Sequence, residues 1–263
     1  MLKFRPVQPI TQLAVMLILL LLSLGAGPAR LVESVVPSLA YSHTCSTTVE
    51  LANLGDRFVY GAVEPHRESG ALVPLSEQPG MTFHLAPGKK KSLTLKIPET
   101  TASAWVAVRE IVPGPELSSV LSVSGTTSCT SDSQLHSALR EVAHPSVNPW
   151  FDGDVSQLPG AQVAVVNTSE SSVIVTGCYS SGTLIANPNV PGGAALRPLC
   201  SHQFREQISP FSARQFPVQL GSNSHFSLHT TGRGIALQML RVLDASTQLY
   251  QVDSSISFGG TDR

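Results

Sequence analysis

Two stretches of this chain match each other without a gap: Leu85 to Ile97, "LAPGKKKSLTLKI", and Ile208 to Leu220, "ISPFSARQFPVQL". Pro87 meets Pro210, Lys91 meets Arg214, and Leu93, Leu95 and Ile97 meet Phe216, Val218 and Leu220. Apolar residues at every second position mark a strand with one buried face, so each stretch reads as a turn leading into such a strand. The flanking sequence extends the match. "VELANLGDRFVYGAV" meets "VAVVNTSESSVIVTG", with Asn53 and Asn167 each closing an apolar run. "IALQMLRVL" then follows as "WVAVREIV" does, and "TQLYQVDSS" as "SSVLSVSG". A duplicated β unit explains this order, although two sandwiches of separate origin would share part of it through turn chemistry alone.

Between the matching parts, "SDSQLHSALREVAHPSVNPWFDGD" breaks the pattern. Leu135, Leu139 and Val142 fall on one helical face, with Ser131 or Asp132 as N-cap and Pro145 as the stop, so a short helix or ordered linker is expected over 131–147, with a strand at "REVA" as the alternative. The expected organisation is an all-β chain: a signal peptide or signal anchor over 1–29, a linker over 30–44, a β-sandwich domain over 45–130, the helix or linker, and a second β-sandwich domain over 148–263.

Lys3 and Arg5 precede the apolar run Leu13 to Leu24, which leads into "GAGPARL". A positive segment, an apolar segment and a small-residue segment in that order form an export signal. Cleavage fits after Ala29 or after Ala40, and the alternative is an uncleaved anchor built from Ile10 to Ala26. An extracytoplasmic location follows: periplasmic, secreted, or anchored facing outward. In an oxidising compartment the four cysteines, Cys45, Cys129, Cys178 and Cys200, favour disulfides. None forms a C-x-x-C pair, which argues against zinc or thioredoxin-like chemistry. Two independent sandwiches imply sequential pairing, Cys45 with Cys129 and Cys178 with Cys200.

With 42% hydrophobic and 13% charged residues the chain has the makings of real cores, and it lacks the signature of a disordered protein. A formal net charge of -1 gives no electrostatic basis for nucleic-acid binding. The one basic run, Lys89 to Lys91, reads as a solvated turn.

The order of apolar run, Asn-x-Gly or Asn-x-Ser turn, second run, "L-x-P-G" and alternating strand resembles the immunoglobulin-like β-sandwich modules of exported bacterial proteins. The resemblance covers about residues 45 to 130 and 150 to 260, and it implies a fold, not an activity. It departs from the antibody pattern, because Trp105 does not lie between cysteines on facing central strands. The two-sandwich layout is also similar to that of periplasmic pilus chaperones, whose cleft Arg/Lys pair and donor strand have no counterpart here.

"VEPHRESGALVPL" concentrates Glu64, His66, Arg67, Glu68 and Ser69, groups suited to acid/base or nucleophilic chemistry. The internal match sets "HRESGAL" against "CYSSGTL", Cys178 to Leu184, so the shared part is a Ser-Gly turn followed by Leu. Consecutive side chains of an extended run point to opposite faces, which is expected to scatter Glu64, His66, Glu68 and Ser69. The stretch therefore reads as a solvated turn, with His66, Arg67 and Glu68 as a contact loop for a ligand or partner. His225 and His229 share one strand face about 13 Å apart, too far for one metal ion. Asp152 and Asp154 lack the ligand series of an EF-hand, and Asn167-Thr168-Ser169 is a formal glycosylation sequon. No catalytic residue, metal or cofactor is assigned. The expected function is a non-catalytic exported module that binds an envelope or extracellular protein or glycan, or has a structural role. The alternatives are an extracytoplasmic assembly chaperone, or a hydrolase using the His66 loop or Asp152 and Asp154.

Overall fold

A computed structural model describes residues 29–41, 45–72, 74–75, 78–79, 81–95, 102–114, 117–131, 134–140, 142–186, 196–244, 249–252 and 258–261. The export signal expected over 1–29 lies, before residue 29, outside the described residues. Every regular element among those described is a strand, and no helix among them is long and apolar enough to cross a membrane.

The first half contains β1 (Arg30–Tyr41), β2 (Cys45–Asn53), β3 (Val59–Arg67), β4 (Pro74–Leu75), β5 (Gln78–Pro79), β6 (Met81–Leu85), β7 (Lys90–Leu95), β8 (Ala102–Val112), β9 (Leu121–Ser131) and β10 (Gln134–Arg140). Two four-stranded sheets, ordered β1-β8-β3-β6 and β10-β9-β2-β7, close on one core; β4 and β5 pair separately. Val36, Val63, Phe83 and Val106 enter that core from one sheet, and Val49, Leu51 and Leu93 from the other. The period of two seen in the sequence has this cause: alternate residues of each strand face the opposite sheet.

The second half contains β11 (Ser146–Asp154), β12 (Gln162–Asn167), β13 (Val173–Ala186), β14 (Leu196–Ile208), β15 (Ala213–Pro217), β16 (His225–Thr231), β17 (Arg233–Asp244), β18 (Leu249–Val252) and β19 (Gly259–Thr261). These strands make one nine-stranded sheet in the order β14-β13-β16-β11-β17-β12-β15, with β18 on β17 and β19 on β11. The sheet curls round a core that includes Phe151, Val163, Val175, Phe226, Leu228 and Met239.

The two halves repeat one register. Val49 pairs with Leu93 and Val59 with Leu85 in the first; Val163 pairs with Phe216 and Val173 with Ile208 in the second. The two asparagines do the same work in both. Asn53 Nδ2 donates to the carbonyls of Arg57 and Leu85, and its Oδ1 accepts from Gly55 N. Asn167 Nδ2 donates to the carbonyls of Ser171, Ile208 and Ser209, and its Oδ1 accepts from Ser169 N. Each side chain ties a strand end to the strand across the core and closes the following turn.

Four expectations need correction. The counterpart of "IALQMLRVL" in the first half is β9, not β8: β2 pairs Asn53 with Leu121, as β12 pairs Asn167 with Ile235. The linker expected over 30–44 is not one as far as Tyr41, since Arg30–Tyr41 forms β1 along β8, with Val35 and Val36 fully buried. The helix expected over 131–147 is replaced by β10, which pairs with β9 from Gln134↔Ser131 to Arg140↔Gly125. Apolar residues four apart fit a strand face as well as a helical one in so short a segment, and the hairpin decides between them. Finally, β9 crosses to the sheet of β2 while β1 lies beside β8. What the first half shows of the expected immunoglobulin-like arrangement is thus the coarser feature, a sandwich of two four-stranded sheets.

The disulfides are Cys45–Cys129 and Cys178–Cys200. The first joins directly paired residues of β2 and β9, with Cα atoms 4.0 Å apart, and the second links β13 to β14.

Candidate functional site

The cluster around His66 is assembled on the outer face of β1, β8 and β3. Residues directly opposite each other on neighbouring strands present their side chains on the same face. The pairs Glu33↔Arg109, Val35↔Ala107, Glu64↔Ala107 and His66↔Trp105 therefore gather a patch from three strands. Arg109 Nε donates to Glu33 Oε1 at 3.0 Å, and the same guanidinium also donates to Glu64 Oε2. His66 Nε2 lies 3.7 Å from Glu64 Oε2, beyond hydrogen-bond range. The neighbouring His66 does most to hold the Glu64 carboxyl below its ordinary range; burial opposes this and the Arg109 charge assists it.

The second half lies on this patch. Val166, Ala213 and Ala236 join Val35, Trp105 and Ala107 in one buried cluster, with Ala143 and Phe211 at its margin. The His66 ring is nearly parallel to the Trp105 ring, with centroids 4.3 Å apart, and to the Phe211 ring at 6.2 Å. Backbone bonds reinforce the contact, from Ala213 N to the Glu68 carbonyl, and Val35 bonds reciprocally with Ala143 between β10 and β11. Two positions show how closely the parts approach. Gly70 has φ of 88°, and a Cβ there would come within 2.9 Å of the Pro210 and Phe211 carbonyl oxygens. Phe211 holds a left-handed backbone, φ 54°, at the place where the first half has Gly88, φ 67°. A bulky residue there is strained, by about 1 to 2 kcal/mol, and its ring lies at the joint.

The internal match does not extend through the His66 stretch as expected. Strand register equates His66 with Ser180, since His66 pairs with Trp105 as Ser180 pairs with His225, and Ser181-Gly182 lie inside β13 instead of forming a shared turn. The expected scattering also fails for Glu64 and His66, two residues apart on β3, whose side chains meet. His66 is buried, whereas Ser69 is exposed. Arg67 and Gly70 close the turn by backbone bonds, and Glu68 meets the second half through its carbonyl.

The chemistry available to His66 is narrow. Its Nδ1 faces the Gly70 carbonyl at 3.2 Å, so that nitrogen donates; Nε2 is buried with no hydrogen-bond partner. A general base needs its nitrogen within reach of a nucleophile or substrate, and this ring is closed in by Trp105 and Phe211.

On β11 and β16, Asp152 pairs with His225, and Asp154 accepts from Ser156 N, which lowers the Asp154 pKa. His229 instead stacks on Trp150. Among the described residues no three His, Cys, Asp or Glu side chains gather as a metal site. A recess lined by Ser146, Pro149, Phe258 and Gly259 has His144 as its one titratable group among the described residues. The sequon residue Asn167 is fully buried with its amide bonded to three carbonyls, so it offers no acceptor for a glycan in the folded chain.

Sequence reasoning missed Glu33, Arg109, Trp105 and Phe211. The period of two carried part of the signal, placing Glu33 with Val35, Trp105 with Ala107 and Arg109, and Glu64 with His66. A strand with both faces apolar at one end is a strand covered on both faces. No protein-family model, curated protein or solved structure matches the chain.

Proposed function

We propose that the protein is a non-catalytic, extracytoplasmic binding or structural module, built from two related β-sandwich units held in a fixed relation. The observation that carries this reading is the placement of His66: the richest group of titratable side chains in the sequence is spent on the joint between the halves. Glu33 and Glu64 share the guanidinium of Arg109, and the imidazole fills the space between Trp105 and Phe211. The two disulfides are compatible with an oxidising compartment, in line with the export-signal pattern.

The test is the purified mature chain with ester, peptide and glycoside substrates, beside His66→Ala. No turnover dependent on His66 is expected. Turnover that disappears in a folded His66→Ala protein would overturn the reading.

A further inference from the structure

On the face of the second half that corresponds to the joint, Trp150 is exposed, although Ser180, at the place of His66, is buried. Trp150 stands where Glu33 stands and His229 where Arg109 stands, because Trp150 pairs with His229 as Glu33 pairs with Arg109. Trp150 is 45% exposed, and its ring is nearly parallel to that of His229 with centroids 6.2 Å apart. Gly259 supports it from β19: a Cβ at that position would lie 2.1 Å from the indole ring, so only glycine lets the backbone pass so close. An exposed tryptophan held flat by a neighbouring ring and a glycine backbone is a fixed plane.

Polar side chains surround this plane. The row Trp150, His229, Thr176, Arg205 runs across β11, β16, β13 and β14, and Asp152 and Gln203 lie on the next row. Four strands span about 14 Å. β13, β16 and β11 are each hydrogen-bonded on both sides, so a peptide finds a free edge here only at β14, three strands away from Trp150. What fits is a ligand with an apolar ring face for the indole and hydroxyls for the carboxylate, amide, imidazole and guanidinium beside it. We propose that this face binds an extended saccharide chain, with a sugar ring on Trp150 and Arg205, Asp152 and Gln203 reading its hydroxyls. The assignment rests on the binding-module reading and gives it a ligand class.

The chain has two tryptophans, and Trp105 is fully buried, so acrylamide quenching reports on Trp150. The probes are chitohexaose, cellohexaose and glycan strands released from bacterial cell wall, added to the full exported chain. At least one is expected to protect the fluorescence saturably. Trp150→Ala should weaken its calorimetric affinity at least tenfold while leaving the urea midpoint unchanged, and Arg205→Ala should weaken it less. Failure of all three to protect Trp150, or undiminished binding by Trp150→Ala, would overturn the saccharide site. Capture of an envelope protein without any saccharide response would overturn it too, while leaving the binding-module reading standing.

Discussion

The imidazole of His66 lies flat against the indole of Trp105, 9° from parallel and 4.3 Å between centroids. The two are direct cross-strand partners on β3 and β8, and Phe211 from the second half covers the imidazole. A stretch that reads in the sequence as a solvated, charged turn is thereby the joint of the molecule. Its charges are paired: a guanidinium shared between two carboxylates offsets part of their desolvation cost, and removing one partner would leave an uncompensated charge at the interface.

That pairing has a pH signature. The Glu64 pKa is lowered from 4.5 in the folded protein by His66 and Arg109. A lowered folded-state pKa means that the stability it contributes is complete above the unfolded value and is lost as pH falls through the folded one. Urea midpoints of the wild type should decline as pH drops below about 4.5. Glu64→Gln should be less stable than the wild type near pH 6 and show a shallower acid limb. An unchanged acid limb would remove Glu64 from the joint.

The two asparagine ties should be equivalent in energy. Asn53→Ala and Asn167→Ala each leave buried carbonyls without donors, at an expected cost of about 2 to 4 kcal/mol. Asn→Asp at either site should cost at least as much, because it sets a carboxylate against those carbonyls. Denaturant titration of the four variants checks this. A loss under about 0.5 kcal/mol at either site, the range of ordinary surface changes, would count against a shared role.

For the exported protein, N-terminal sequencing should find Arg30 at the start, not Tyr41. Cleavage after Ala40 would remove β1, whose Val35 and Val36 are fully buried, one facing each core cluster. Burying two valines contributes about 3 to 6 kcal/mol, and the loss would also uncover β8. Stable exported material beginning at Tyr41 would contradict the placement of β1.

Reduction should weaken both halves unequally. The Cys45–Cys129 bridge closes a separation of 84 residues and Cys178–Cys200 one of 22. Loop entropy favours them by about 4 to 5 and about 3 kcal/mol. Non-reducing peptide mapping should return one bridged pair per half, and Cys45→Ser with Cys129→Ser should lower the urea midpoint more than the other double variant. A peptide joining Cys129 to Cys178 would contradict the sequential pairing.

The β class and much of the repeated register were legible because they depend on local alternation and on turn residues, which a sequence displays directly. Leu93 and Phe216 share a pattern because they face equivalent cores. The linker regions were misread because their structure comes from partners far along the chain: nothing within 30–44 announces that β8 will pair with it, and Leu135 and Leu139 satisfy two periods at once. The His66 cluster was half legible. Glu64 and His66 stand two apart, as strand neighbours on one face must, but Arg109, Glu33 and Phe211 arrive only through tertiary pairing. Phe211 was hidden in particular, because it takes a backbone conformation that its sequence neighbours do not suggest.

The most direct test of the joint is a double-mutant cycle between His66 and Phe211. His66→Ala, Phe211→Ala and the double variant would be compared with the wild type by urea denaturation at pH 7. Stacked rings that close an interface should show a coupling energy of about 0.5 to 1.5 kcal/mol, with the double variant losing less than the sum of the single losses. Additive losses, within the roughly 0.3 kcal/mol expected of independent sites, would contradict the placement of His66 as the contact between the two halves.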